Sequence, residues 1–331
     1  MKPHCLGLLA TLCLVAATQA QEPFRDWLKP RLGEMEASAD YTAEHYFDEN
    51  VEDQDTELGF TGHDLRLRVP LWQNDRHELS LGSRIKVLDV DTDAWFPGSS
   101  SPFRRDDFPD HLWDLRLDGT YRHKLDNGWI AGGHLSLGSP SDKPFASLDE
   151  VAVSASGFLR IPDGERNAWV FFLNYASNRE FCPHIPLPGV AYQFEPDENF
   201  SALLGLPYTS LRWKPIDTVI VDASYFIPRT VRTRVSYLPV ETVRLYVGYD
   251  WTNQRYLRHD RQDDDDRLFY YEQRVKGGVR WDLTEWLYVD LNGGYAFDRM
   301  FFEGERFDDR WDSRLDIGDG PFAAARVGIR L

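Results

Sequence analysis

The sequence predicts an all-β fold: a closed, antiparallel, up-and-down β-barrel whose strands cross a membrane. Three observations predict it. Apolar and polar residues alternate along nearly the whole chain in stretches of about ten residues, the length a tilted strand needs to cross a bilayer. Aromatic residues gather at the ends of those stretches. The connections between them alternate between short and long, as when one rim of a barrel faces the periplasm and the other the exterior.

The closing stretch, Pro321 to Leu331, shows the alternation cleanly. Ala323, Ala325, Val327, Ile329 and Leu331 share one parity, and Ala324, Arg326, Gly328 and Arg330 the other. Successive side chains on a strand point to opposite faces, so one side is greasy and the other wet. Asp64 to Leu71 sets Leu65, Leu67, Val69 and Leu71 against Asp64, Arg66 and Arg68. The same division runs through His111 to Arg122, Thr242 to Trp251 and Trp286 to Asp298.

Short turns fall at Gln73–His77, His123–Gly128, Ile161–Asn167, Pro196–Asn199, Lys214–Asp217, Pro239–Glu241 and Asp282–Glu285. Longer connections are expected near 42–57, 89–110, 139–148, 178–187, 253–266 and 299–320, with tight ones at Pro207 and Pro228. With both termini on the periplasmic side, this gives about 16 strands, with 12–14 as the alternative. A soluble antiparallel sandwich would also alternate. Its strands, however, average about five or six residues, and it gives no cause for a one-long, one-short rhythm. Trp72, Trp113, Tyr121, Trp129, Trp169, Tyr175, Trp213, Tyr225, Tyr237, Trp251, Trp281 and Trp286 stand at predicted strand ends. Such rings prefer the headgroup level of a bilayer.

Residues 1–20 read as an export signal: Lys2, an apolar run from Leu6 to Ala17, and small residues Thr18 and Ala20 before cleavage after Ala20. That run is too short for a membrane-spanning helix, and no later segment approaches the roughly 20 apolar residues needed. The expected organisation is the signal peptide (1–20), a short periplasmic N-terminal segment (21–32) and an outer-membrane barrel (33–331). Cys5 and Cys13 leave with the signal, and Cys182 remains without a disulfide partner. The formal net charge is −17, and removing Lys2 takes it to −18, which disfavours nucleic acid as a partner.

On the segments ALLGLPYTSLRWKP (Ala202 to Pro215), YVGYDW (Tyr246 to Trp251) and the closing strand, the chain resembles single-chain outer-membrane β-barrels of Gram-negative bacteria. It is similar to an uncharacterised porin-like family of them. The resemblance spans essentially the mature chain. It implies the fold, the outer membrane as location, and lipids, lipopolysaccharide and the barrel assembly machinery as partners; it transfers no catalytic residue. Such barrels usually end in an aromatic residue that the assembly machinery reads, and Leu331 stands in that place.

The wet parity carries the candidate site. A Lys or Arg facing lipid near the midplane costs about 2–4 kcal/mol, so the charges are expected to line the lumen. The expected lining is Arg66, Arg68, Arg84, Arg116, Arg232, Arg234, Arg244 and Arg274, opposed by Asp114, Asp118, Asp222 and Asp290. Lys86, Arg122, Lys276, Arg280, Arg326 and Arg330 share their parity. Opposed basic and acidic walls set up a transverse field that discriminates among ions. The opposing reading is a lumen filled by its own ion pairs.

No catalytic group is expected. His134 and Ser136 share the inward face without an evident acid, and Cys182 with His184 in a loop supplies too few ligands for zinc. The acidic run Asp260 to Asp266 lacks the glycine and spacing of an EF-hand, and reads as a solvated loop tip. In the later loop, Asp308, Asp309, Asp312 and Asp316 alternate with Arg306, Arg310 and Arg314, which favours local ion pairing. Neither cofactor nor metal is expected. The functional expectation is a passive channel for small polar or charged solutes, narrowed by inward-folded segments 89–110 or 299–320. A blocked structural barrel and an outer-membrane hydrolase are the alternatives. Nothing in one chain marks an oligomer face, so a homo-oligomer stays open.

Overall fold

The computed structural model describes residues 29–95, 108–179, 182, 184–226, 230–261, 263–311 and 314–331. The expected signal and most of the 21–32 segment lie outside them. Strand β1 (Ser38–Asn50) pairs with β2 (Glu57–Gln73), followed by β3 (His77–Thr92), β4 (His111–Lys124) and β5 (Ile130–Ser141). A lower wall follows: β6 (Ala152–Asp163), β7 (Asn167–Ala176), β8 (Leu187–Asp197), β9 (Phe200–Leu206), β10 (Tyr208–Ile216), β11 (Val219–Phe226) and β12 (Thr230–Val240). The wall rises again through β13 (Val243–Tyr256), β14 (Arg267–Asp282) and β15 (Leu287–Gly304). A 3-10 turn at Phe307–Trp311, the short β16 (Arg314–Ile317) and β17 (Gly320–Arg330) end the chain.

Each strand pairs antiparallel with its neighbour, and β17 returns to β1, with Tyr41 opposite Val327 and Ala43 opposite Ala325. Closure leaves no free edge of backbone N–H and C=O groups for lipid to meet. Among the described residues the wall holds sixteen strands. Short β16 continues β17 upward along β15, with a break at Gly318 and Asp319. Opposite that break, Asp298 takes φ +52°, and its N–H donates to Asp319 Oδ1 at 3.0 Å. This bulge reverses the parity of β15: Asp290 and Ala296 face inward below it, Arg299 and Phe301 above it.

Three expected connections are shorter than the sequence suggested. The strand reaches Asn50 where a loop was expected from 42, and β13 and β15 run on to Tyr256 and Gly304. Alternation there is masked because large rings fill both faces.

The outside is inverted relative to a soluble protein. Leu67, Val69, Leu117, Leu135, Leu173, Leu204, Val235, Val247, Val275 and Leu291 are exposed, while Asp250, Glu272 and Arg122 are buried. Near the termini, Trp72, Trp213, Tyr237, Trp281 and Trp286 face outward in one girdle; Tyr225 and Tyr295 face outward toward the other rim. Outward Trp113 and Tyr121 lie eight residues apart on β4. At about 3.3 Å per residue and a tilt of about 40°, that is about 20 Å of height, near the roughly 25 Å apolar band of membrane barrels.

Inside, the exterior end is filled rather than hollow. Tyr46, Phe60, Leu88, Leu112, Tyr256, Tyr270, Phe301 and Phe322 pack together with Ala94 and Phe108 from the β3–β4 connection and with Leu315 and Ile317 of β16. Parts of both segments expected to fold inward therefore do so; residues 96–107 lie outside the described set. On the outer face above the aromatic girdle, Phe307 covers Phe269, Tyr271 and Phe302, its ring 5.3 Å from that of Phe302. A second internal cluster joins Ile130, Phe158, Val170, Phe172, Ala191, Leu203, Tyr208 and Phe226 along the lower wall, with Leu32 from the N-terminal segment inserted among them.

Candidate functional site

The alternation of β2, β3 and β4 sets Arg66, Arg84 and Arg116 abreast on the inner face. Three guanidinium groups side by side are held by carboxylates from the next row. Asp64 accepts from Arg66 Nη2 at 2.7 Å and from Arg84 Nη2 at 2.8 Å. Asp114 accepts from Arg84 Nη1 at 3.0 Å and from Arg116 Nη2 at 2.8 Å. Lys86 reaches across the interior to Gln254 of β13. A second group forms where β14 faces β1: Arg274 joins Glu44, Asp250 and the Tyr46 hydroxyl, and Lys276 also joins Asp250. Above it, Tyr46 and Tyr270 both donate to Glu272 at 3.0 Å. Bidentate, interlocked pairs of this kind fix side chains that would otherwise swing in the lumen.

The rest of the expected lining falls into place around these groups. Arg68 lies opposite Gly82, which in turn stands opposite Asp118; a Cβ on Gly82 would meet that carboxylate at 2.4 Å. Arg244 is opposite Arg280, whose guanidinium lies 3.7 Å over the Tyr288 ring and bonds Asp282. Asp290 accepts from Tyr246 at 2.6 Å, and Arg234 lies 4.2 Å over the same Tyr246 ring.

The lower wall is different. Arg212, Asp222 and Arg234 are cross-strand neighbours on β10, β11 and β12, and Arg232 occupies the next inward position toward the exterior. Arg212 bonds Asp222 at 3.3 Å with 57% of its side chain still exposed. Arg232 is exposed, and Asp222 and Arg234 are half-buried. Water therefore touches a lane of charges from the end of β10 nearer the chain termini to the far end of β12. Spanning β4 to β7 there is also a small cavity of about 20 Å³ lined by Asp114, Arg116, Ser136, Ser154 and Asn178.

Sequence reasoning missed several partners. Asp40, Glu44 and Tyr46 sat in or beside an expected loop, yet they alternate with Tyr41, Ala43 and His45 as a strand requires. His134, expected without an acid, donates or accepts with Thr120 Oγ1 at 3.0 Å and stands 4.0 Å from Asp118, beyond hydrogen-bond reach. His184 pairs with Tyr175 at 3.2 Å.

At the exterior rim the β13–β14 connection crosses the mouth to β5: the Leu257 N–H donates to the Pro140 carbonyl at 2.6 Å. His259 Nδ1 meets Asp142 at 2.7 Å, and Lys143 Nζ lies 2.7 Å from His259 Nε2. An ammonium donating to Nε2 places the ring proton on Nδ1, where it bonds Asp142. That leaves no free basic nitrogen for a nucleophile. It also sets a positive charge against any cation held by Asp142, His259 and Asp260, whose ligand atoms come within 4.8 Å of one another. In the acidic run, Arg258 chelates both oxygens of Asp260 at 3.0 Å. Burial works against the ionised carboxyl, and the bonds and charge of Arg258 outweigh it, so Asp260 titrates below its ordinary range. Asp266 is pushed up by burial and by the charges of Asp263, Glu305 and Asp309. Arg310 pairs with Asp308 at 3.5 Å and Arg314 with Asp316 at 2.5 Å; Asp312 lies outside the described residues.

Fold and interior together define the class: a closed antiparallel barrel of sixteen strands, apolar outside and ionic within. No family model and no curated protein matches the chain. Among solved structures it is similar to an outer-membrane channel from Pseudomonas putida F1, at 13% identity, 90% of this chain and 96% of that one, and a TM-score of 0.38. It is also similar to the translocator domain of the autotransporter NalP from Neisseria meningitidis, at 9% identity, 93% and 92% coverage, and a TM-score of 0.35. OccK7 from Pseudomonas aeruginosa aligns at 10% identity over 90% of this chain and 99% of that one, with a TM-score of 0.35.

Proposed function

We propose that the protein is a passive channel of the bacterial outer membrane for small polar or charged solutes, with a preference for anions. The carrying observation is the lane Arg212–Asp222–Arg234–Arg232, charged, water-touched and continuous along the lower wall. Basic groups outnumber acidic ones along it, and a low-dielectric wall behind them strengthens their field on a passing ion. The export signal with cleavage after Ala20, lipopolysaccharide around the apolar belt and insertion by the barrel assembly machinery belong to the same proposal. It invokes no cofactor and no catalysis.

Conductance across planar bilayers tests it. Stepwise current is expected, and in a salt gradient the reversal potential should indicate anion preference. Replacing Arg66, Arg68, Arg232 and Arg234 with Gln should reduce that preference. Folded protein that passes no current refutes the channel. A second reading, a structural or surface-binding barrel with a blocked lumen, is favoured by the packed rings beneath the exterior rim, and absence of current would select it.

A further inference from the structure

We propose that residues 29–36 are a displaceable strap that narrows the periplasmic mouth, with Arg122 and Glu78 as its receptor. This inference deepens the channel reading and rests on it for the effect on current. From Ala37, paired with Leu331 at the barrel seam, the segment runs along the inner rim past β2 and β3 to β4. Five hydrogen bonds from Gln73, Glu78 and Arg122 anchor it by its backbone. Gln73 brackets Met35, accepting from its N–H and donating to its carbonyl, both at 3.0 Å. Glu78 Oε2 accepts from the Gly33 N–H at 3.2 Å. Arg122 donates to the carbonyls of Lys29 at 3.0 Å and Arg31 at 3.2 Å.

Gly33 makes this path possible. Its φ is +83°, and a Cβ there would meet the Asn74 carbonyl oxygen at 2.9 Å, so only glycine passes the β2–β3 turn without strain. Its apolar anchors are Leu32, buried against the lower-wall cluster that includes Ile130, and Met35, also buried. The receptor is a built one: Arg122 is 1% and Glu78 2% exposed, joined at 2.9 Å. Both sit on the inner face where a lumen would otherwise wet them. Main-chain recognition with few apolar contacts is how an extended peptide is held, and such a peptide can leave as a unit.

The test uses purified barrel with Cys182→Ser and a reporter, Ser80→Cys, one inward position above Glu78 and buried. Two strap variants are compared with the parent: deletion of residues 29–35, and Leu32→Glu, which keeps the chain length. Labelling of the reporter by a membrane-impermeant maleimide is expected to speed up at least tenfold in both, and conductance to rise at least twofold. A synthetic peptide of residues 29–36, added on the periplasmic side of the deletion variant, should restore the parental current in a saturable way. Unchanged labelling in both folded variants overturns the strap, whatever the current. Faster labelling with unchanged, non-zero current overturns its narrowing of the mouth. Faster labelling with no current from any form leaves the strap seated on its receptor and refutes the channel instead.

Discussion

The tall wall and the low wall of this barrel are built from the same alternating pattern, yet they handle charge in opposite ways. On β2 to β4 and β13 to β15, where strands reach 14 to 18 residues, Arg66, Arg84, Arg116 and Arg274 are locked by carboxylates from neighbouring rows. On β9 to β12, with 7 to 11 residues each, the inner face divides into an apolar cluster and a lane of exposed charges. Strand length decides the difference. Tall strands rise above the apolar belt, and their side chains bring opposite walls into contact, as Lys86 with Gln254 shows. Low strands end at the belt and leave water beside them.

Three substitutions sharpen or break this comparison. Arg122→Ala has the largest expected effect, because it leaves the Glu78 carboxylate buried without its partner. The cost should be about 3–5 kcal/mol, read as a lower midpoint in denaturant unfolding of the detergent-solubilised barrel; a loss below 1 kcal/mol would mean that water already reaches the pair. Next, Arg84→Gln and Arg232→Gln should separate stability from selectivity. Arg84 serves Asp64 and Asp114 together, so its loss should cost about 1–3 kcal/mol and barely move the reversal potential. Arg232 is exposed, so its loss should cost less than about 1 kcal/mol while shifting the reversal potential toward cations. Equal shifts from both would erase the distinction between the walls.

The smallest effect is expected at the exterior rim. Burial and acidic neighbours raise the Asp266 carboxyl above its unfolded value. Ionising it therefore opposes the fold, and the penalty grows as pH climbs from the unfolded carboxylate range through the raised one. Asp266→Asn should raise the unfolding midpoint slightly at neutral pH and leave it unchanged at pH values below both. Asp260 has the opposite sign: its contribution is present above the unfolded range and lost as pH falls through its lowered one.

Most of the barrel was legible because lipid enforces a period of two over most of the belt. Leu65, Leu67 and Val69 against Asp64, Arg66 and Arg68 could be divided by eye, and the short turns placed all seven connections at the rim that carries the termini. Legibility ended where lipid ends. Above the belt, Phe269 to Tyr271 and Met300 to Phe302 are apolar on both faces, one toward the lumen and one under the Phe307 turn. The Asp298 bulge then reverses parity with no glycine to announce it. The site was half visible for the same reason. Charged inward positions follow from parity, but which of them pair depends on register between strands, which a single sequence does not carry. Glu44 with Arg274, 230 residues apart, is such a pair.

The unequal height of the wall also acts on the surroundings of the protein. Seven to nine residues at that pitch and tilt give about 18–23 Å, a little less than the roughly 25 Å band that membrane barrels present. Lipids beside β9 to β11 must thin or tilt to match that flank, at a modest cost per ångström. The bilayer surface thus dips on the side where the charged lane opens, which brings its mouth closer to the surrounding headgroups than any other part of the rim.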